Sequence, residues 1–142
     1  MKLVATLALA SFTLVATATP CLACSCAAFA PKEYAERADV VFTGVVRSIS
    51  GADFDDGAYG DDITTVRFRV RAVYKGQVRR LANVLTNESD AACGYPFSVG
   101  KKYTVFASRG KAKLSTGLCS GTERGGIDPA KFDLGHRYPP KD

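Results

Sequence analysis

The sequence of 142 residues contains no tryptophan, one methionine and one histidine, His136, which lies near the carboxyl end. Structural zinc sites use several cysteine and histidine ligands at short spacings, and a hydrolytic triad needs a histidine beside its nucleophile. No such motif surrounds His136, and we interpret it as a solvated residue of a loose tail. We therefore expect neither an enzyme nor a cofactor.

A hydrophobic run of membrane-spanning length is also lacking, because the apolar stretch Leu3–Val15 is shorter than the about 20 residues that a span requires. Lys2 precedes this stretch, and small or polar residues follow it as far as Ala23. This is the layout of a secretory signal peptide, with cleavage after Ala23. We expect residues 1–23 to be removed and residues 24–142 to form one domain, secreted to the extracellular space or the periplasm.

The cysteine count supports export. Cleavage removes Cys21 and leaves an even number of cysteines, namely Cys24, Cys26, Cys93 and Cys119. In a small exported domain, this predicts two disulfides. A redox pair within Cys24-Ser25-Cys26 would close a strained ring. A lipid anchor on Cys24 is a further alternative, although no apolar residue stands three positions before it, and only this alternative would place the protein on a membrane.

The order of local patterns predicts a mainly β domain with one or two short helices. Pro31–Arg37 and Ile127–Leu134 have helical starts with proline, and the other segments are rich in β-branched and aromatic residues. About five strands suit a small five-stranded Greek-key barrel of the OB type, although the pattern alone does not separate it from a sandwich. The predicted strands are Val40–Ile49, Asp62–Lys75, Arg79–Thr86, Tyr103–Ala107 and Ala112–Leu118.

The segment Asp62–Lys75 has the clearest alternation in the chain. Its apolar residues Val66, Phe68, Val70 and Ala72 are predicted to share one face, and Arg67, Arg69 and Arg71 the other. Because Phe68 is on the face opposite the arginines and the protein is exported, we expect no nucleic-acid partner. A polyanion such as a glycan or a membrane surface suits the basic face better than nucleic acid does, although we expect membrane attachment only if Cys24 carries a lipid. The acidic loop over residues 53–62 lacks the spacing of a calcium loop, so we interpret it as a solvated hairpin tip or a partner contact.

Five short motifs occur in a familiar order and spacing. They are Cys24-Ser25-Cys26, Ala38-Asp39-Val40-Val41, Val73-Tyr74-Lys75-Gly76, Cys93-Gly94-Tyr95 and Gly117-Leu118-Cys119. Together they resemble the N-terminal domain of the tissue inhibitors of metalloproteinases (TIMPs), a branch of the netrin-like (NTR) modules. The resemblance implies an OB-type barrel with bridges Cys24–Cys93 and Cys26–Cys119. Glu36 stands where the family has a further cysteine, so we expect one bridge fewer. We also expect a minimal single-domain form, without the C-terminal subdomain of the vertebrate members.

The resemblance also implies a function, inhibition of a zinc metalloendopeptidase by a monomer. The α-amine and carbonyl of Cys24 would bind the protease's zinc, and Ser25 would enter the adjacent specificity pocket. The inhibitory wedge, which we define as Cys24, Ser25, Cys26, Cys93, Gly94 and Tyr95, would have its two edges joined by the Cys24–Cys93 bridge. Two alternatives stay open, an NTR-type module that binds another extracellular partner and a lipid-anchored surface protein without inhibitory activity.

Overall fold

The structure is a computed structural model that describes residues 24–51, 63–88, 92–111 and 113–142. The predicted signal peptide over residues 1–23 and the acidic loop over residues 53–62 lie outside the described residues. Across the described ranges, no helix combines the length and the apolar character needed to cross a membrane.

The described chain contains one α-helix, one 3₁₀ helix and six strands. Helix α1 has the predicted bounds, Pro31–Arg37, because Pro31 occupies its first turn and the Glu33 carboxylate accepts a 2.7 Å hydrogen bond from the Ala30 N–H. The other elements are β1 (Val40–Gly51), β2 (Ile63–Lys75), β3 (Leu81–Asn87), β4 (Lys102–Arg109), β5 (Leu114–Ser115), β6 (Glu123–Arg124) and the 3₁₀ helix Pro129–Phe132.

Five of these strands close into a barrel in the order β1-β2-β3-β5-β4, with β4 pairing back to β1. All neighbours are antiparallel except β3 and β5, which are parallel, and β6 pairs with β4 outside the closed ring. The predicted five-stranded OB-type barrel is therefore confirmed. Two short elements correct the sequence analysis. Strand β5 covers only Leu114–Ser115, and the predicted helix Ile127–Leu134 is a 3₁₀ helix over Pro129–Phe132.

The barrel interior is filled by aromatic and β-branched side chains. Phe42 and Phe68 are fully buried and meet edge to face, with ring centroids 5.5 Å apart. A Cβ on Gly44 would lie 3.3 Å from each of these rings and 3.1 Å from the Arg69 carbonyl, so glycine allows β1 and β2 to approach closely there. Outside the barrel wall, Ala35 of α1 and Phe132 of the 3₁₀ helix belong to a second buried cluster with Ala38, Val41 and Phe106.

A bulge in β2 corrects one part of the predicted alternation. Thr43 pairs with Ala72 and Gly44 with Val70, so Arg71 has no counterpart on β1. An extra residue of this kind reverses the side-chain alternation beyond it. Val66, Phe68 and Val70 face the core as predicted, but beyond the bulge Val73 is fully buried while Ala72 is only half-buried.

The C-terminal tail is not loose, which corrects a second expectation. Tyr138 and Val73 exchange two backbone hydrogen bonds of 2.9 Å, and the Lys141 N–H donates to the Val78 carbonyl at 2.9 Å. The Lys141 carbonyl also accepts from the Arg80 N–H at 2.8 Å. His136 is exposed, as predicted, but it lies in a segment that leads into this docked tail.

Candidate functional site

Two disulfides fasten the first described residues to the barrel. Cys24 bonds Cys93 with a Cα–Cα distance of 5.5 Å, and Cys26 bonds Cys119 with a Cα–Cα distance of 5.1 Å. Both distances lie within the usual disulfide range, and the pairing is the one implied by the family resemblance. Ser25 lies between the two bridged cysteines and is exposed. Its side chain therefore faces solvent from a backbone that is fixed on both sides.

Cys93 has an unusual backbone conformation. Its φ is 63°, in the left-handed region that non-glycine residues seldom occupy. The Cys93 carbonyl accepts a 2.9 Å hydrogen bond from the Leu118 N–H, and a Cβ on Gly117 would lie 2.7 Å from that carbonyl oxygen. The hydrogen bond from Leu118, together with the disulfide to Cys24, therefore holds Cys93 in a conformation that it would seldom adopt alone.

The two residues after Cys93 lead into the core. Gly94 is buried, and Tyr95 is half-buried with its backbone N–H donating to the Thr86 hydroxyl at 2.9 Å. The Tyr95 ring packs 4.7 Å from the Phe97 ring and 5.8 Å from the Tyr103 ring, centroid to centroid. Burial, which removes water from the phenol, raises its pKa above the usual value. These contacts attach Tyr95, and with it the Cys93-Gly94-Tyr95 edge of the wedge, to the barrel core.

The N-terminal segment is also held by α1. The Arg37 guanidinium carbon lies 4.4 Å from the centre of the Phe29 ring, and the Tyr34 ring meets Phe29 edge to face at 5.5 Å. Tyr34 in turn packs closely on Gly121, where a Cβ would lie 2.7 Å from the ring and φ is 87°. Because Gly121 is two residues beyond Cys119, α1 and the second bridge brace the same segment.

A cluster of hydroxyl groups shapes the turn that carries Cys119. The Thr116 hydroxyl donates to the Phe106 carbonyl at 2.8 Å and lies 2.8 Å from each of the Ser120 and Thr122 hydroxyl oxygens. The Phe106 N–H donates to the buried Thr122 hydroxyl at 3.1 Å. Sequence analysis did not identify Thr116, Ser120 and Thr122. Their hydroxyl side chains, which lie close to Cys119 on both sides in the sequence, were the feature from which the cluster could have been inferred.

The structure thus brings together the two predicted edges of the wedge. One edge comprises Cys24, Ser25 and Cys26, and the other comprises Cys93, Gly94 and Tyr95, joined by the Cys24–Cys93 bridge. Ser25 and Cys26 are exposed and Cys24 is half-buried, whereas Gly94 is buried and Tyr95 half-buried, so the first edge is the more accessible of the two. The two bridges therefore hold the backbone of residues 24–26 in a fixed position on the barrel.

The family model for tissue inhibitor of metalloproteinase matches residues 22–124. The chain belongs to this family. Metalloproteinase inhibitor 2 of Gallus gallus is 30% identical to it over 111 residues, which cover 75% of this chain. The aligned part is 50% of that relative, so the chain spans about half the length of the curated relative that it matches.

Proposed function

We propose that this TIMP-family chain is a secreted inhibitor of zinc metalloendopeptidases, and that it acts through Cys24. The observation that carries the proposal is the Cys24–Cys93 bridge, which fastens residues 24–26 to the barrel with Ser25 and Cys26 exposed. The name of the avian relative adds independent support for a metalloproteinase as the partner.

The proposed mechanism uses the backbone of Cys24 as a chelator. A catalytic zinc has three protein ligands and a water in an open position, and that water becomes the nucleophile. The α-amine and the carbonyl oxygen of Cys24 would take the place of the water. The amine binds metal only in its neutral form, and because a terminal amine titrates near pH 8, a useful fraction is neutral at physiological pH.

The thiol of Cys24 has a different role in this mechanism, since it is already bonded to Cys93. The bridge fixes the direction of the chelating groups before the protease arrives, which lowers the entropy lost on binding. Ser25, exposed between the two bridges, would enter the pocket beside the zinc. Its small side chain would fit many pockets and would give little selectivity among proteases.

The mechanism requires that Cys24 begins the mature chain. We infer that residues 1–23 are a signal peptide, that cleavage follows Ala23, and that the exported domain acts as a monomer without enzymatic activity. Acylation of Cys24 would convert the amine to an amide and occupy the sulfur that bonds Cys93. A lipid-anchored form would therefore lack both the chelating amine and the bridge.

The experiment begins with the secreted protein, whose amino terminus is sequenced and whose intact mass is measured before and after reduction. It is then tested against a broad panel of zinc metalloproteases, including bacterial enzymes. The matched control is the same protein after carbamylation of its α-amine, at a pH at which lysine side chains do not react. We expect inhibition by the untreated protein and none after carbamylation. A start other than Cys24, an added lipid mass, or a panel without any inhibited protease would contradict the proposal and favour an NTR-type binding module.

A further inference from the structure

The outer face of β1, β2 and β3 is cationic. Arg47, Arg67 and Arg69 line a shallow recess of about 450 Å³ together with Ser48 and Leu81. We call these five residues the arginine recess. All five are exposed, and none of them belongs to the wedge. The three strands contain no aspartate or glutamate, so the positive charge of the recess is not balanced from within them.

A bulge in β1 forms one side of the recess. Val46 pairs with Phe68, and Ser48 pairs with Arg67. Arg47, between them, has no counterpart on β2. Val46 is buried, whereas Arg47 and Ser48 are both exposed, so two consecutive side chains reach the outer surface. The bulge thereby places a third guanidinium group beside the two that β2 supplies.

The cations extend in two directions over this face. Arg67 and Arg69 are alternate residues of β2, so their Cα atoms lie about 7 Å apart on the same side of the sheet. Val45 pairs with Arg69 on one side and with Lys102 of β4 on the other. The exposed Lys102 is therefore two strands, or about 10 Å, from Arg69. Positive charges spread over this distance suit a linear polyanion better than a small anion.

The guanidinium groups of the recess have no charged partner among the described residues. In that part of the chain, the cations that form ion pairs are Lys32 and Arg80. A guanidinium stays charged at physiological pH, is weakly hydrated, and can donate two parallel hydrogen bonds to a carboxylate or to a tetrahedral oxyanion. An acidic group that enters the recess would therefore meet up to three such donors.

We propose that the arginine recess binds an acidic polysaccharide, a linear sugar polymer that carries carboxylate or sulfate groups. Its acidic groups would bind the three arginines. The Ser48 hydroxyl can hydrogen-bond sugar hydroxyls, and an apolar sugar face can pack on Leu81, which is 51% exposed. The choice of an extracellular polymer rests on the secretion proposed above, but binding does not depend on the amine of Cys24.

Two other polyanions suit the recess less well. Single-stranded nucleic acid binds proteins by stacking its bases on aromatic rings, and none of the described residues that line the recess is aromatic. Binding to a membrane surface combines cations with an extensive apolar face, whereas the recess offers one large apolar side chain, that of Leu81. The mixture of arginines with a hydroxyl group therefore favours a sugar polymer.

The test measures fluorescence anisotropy of two labelled oligosaccharides of equal length, oligogalacturonate with carboxylates only and a heparin fragment with sulfates. Polyphosphate, oligothymidylate and phosphatidylglycerol vesicles compete at equal total charge. We expect saturable binding of at least one oligosaccharide, weakened by added salt, and the tighter one identifies the acidic group. Carbamylation of the Cys24 amine should leave this binding unchanged, so the result is independent of the inhibition assay. Binding of neither oligosaccharide at physiological salt, or stronger competition by any of the three competitors, would overturn the proposal.

Charge-neutralised variants locate the site. Arg67→Gln with Arg69→Gln should weaken oligosaccharide binding about tenfold, because two exposed ion pairs with the ligand are lost. The matched control is Lys111→Gln with Lys131→Gln, two exposed cations outside the recess, with the same change in net charge. Binding by the control should remain at the level of the unaltered protein. Equal losses in the two variants would show attraction by net charge alone and would overturn the proposal.

Ser48→Ala separates a saccharide site from a general cationic surface. The change removes a hydrogen bond to the sugar but no charge, so oligosaccharide binding should fall about fivefold while polyphosphate binds as before. Circular dichroism establishes that each variant is folded. If the glutamine variant does not fold, Arg67→Lys with Arg69→Lys decides the same point, because it keeps the charge, loses the bidentate geometry and should weaken binding about threefold. A folded Ser48→Ala protein that loses affinity for both ligands equally, or for neither, would overturn the saccharide site.

Discussion

The two ends of the described chain reach the barrel by different means. Residues 24–28 form neither helix nor strand, and Cys24 and Cys26 are fastened by disulfides. The tail is fastened instead by backbone hydrogen bonds from Tyr138 and Lys141. Covalent attachment keeps the backbone of the first segment out of the sheet and available to a partner, whereas hydrogen bonding commits the backbone of the second segment to the barrel.

The same difference predicts how each end of the described chain would be released. The wedge is built from residues far apart in sequence, and the bridge from Cys24 spans 69 residues to Cys93. The tail is held at Val73, Val78 and Arg80, and none of the four bridged cysteines lies in it. Reduction should therefore disable the wedge, whereas loss of the tail should lower the stability of the barrel.

The largest expected effect comes from removing the Cys24–Cys93 bridge by replacing both cysteines with alanine. Releasing a loop of this length should cost about 4 kcal/mol of unfolding free energy in the chain-entropy model. Inhibition should disappear, because the chelating groups lose their fixed direction. Denaturant unfolding and a protease assay measure the two effects. Cys26→Ala with Cys119→Ala, which removes the other bridge and leaves Cys24 bonded to Cys93, is the matched comparison and should weaken inhibition less. A variant without the Cys24–Cys93 bridge that inhibits normally would contradict the proposed role of this bridge.

Deleting residues 137–142 should have the next largest effect on stability. The deletion removes the four backbone hydrogen bonds that join Tyr138 and Lys141 to the barrel. At typical net contributions, the loss should be about 3 kcal/mol. Inhibition should be unchanged, since the tail bonds the barrel at Val73, Val78 and Arg80, none of which belongs to the wedge. Deleting only Asp142, which pairs with the exposed Arg80, is the matched control and should have little effect on stability.

Gly117→Ala should have a smaller effect on stability but should act on the wedge. The new Cβ would lie 2.7 Å from the Cys93 carbonyl oxygen, so the backbone must shift and the Leu118–Cys93 hydrogen bond must lengthen. We expect a loss of about 2 kcal/mol, typical of a forced backbone shift, together with weaker inhibition. Gly135→Ala, which would add a Cβ with nothing within 4 Å, is the control. If Gly117→Ala and Gly135→Ala have the same stability and the same inhibition, the contact with Gly117 does not hold Cys93.

The smallest expected effect is that of Arg37→Gln, which removes the cation over the Phe29 ring. The expected cost is about 0.5 to 1 kcal/mol, the usual strength of an exposed cation–π contact. Because Phe29 lies outside the bridged segment, inhibition should change less than with Gly117→Ala. A thermal melt and an inhibition assay measure both effects. Comparing this variant with the bridge variants distinguishes the contribution of α1 from that of the disulfides in holding the N-terminal segment.

Local sequence signals predicted the elements whose boundaries depend on local chemistry. Pro31 and Glu33 set the start of α1, and its predicted bounds are confirmed. The alternation of β2 was right as far as Val70, but the bulge at Arg71 depends on pairing with β1, which no local pattern in β2 encodes. The strand predicted over Ala112–Leu118 is short because Thr116 turns its hydroxyl to the Phe106 carbonyl and leads into a turn.

The candidate site shows the same limit. Cysteine count predicted two bridges, but the family resemblance was needed to choose Cys24–Cys93 and Cys26–Cys119, which the structure confirms. The support from Gly117 was not predictable, because it depends on the approach of two distant backbones. The docked tail was mistaken for a loose end, since its polar, proline-containing sequence gives no sign of the hydrogen bonds that Val73 and Val78 offer.

The most direct test of the central claim is to add one alanine before Cys24 in the secreted protein. The extension converts the α-amine of Cys24 to an amide and places a residue where the zinc would lie, while both bridges and the barrel core are unchanged. We predict complete loss of metalloprotease inhibition with an unaltered circular dichroism spectrum and melting temperature. If the extended protein inhibits as strongly as the form that begins at Cys24, chelation by this residue is contradicted.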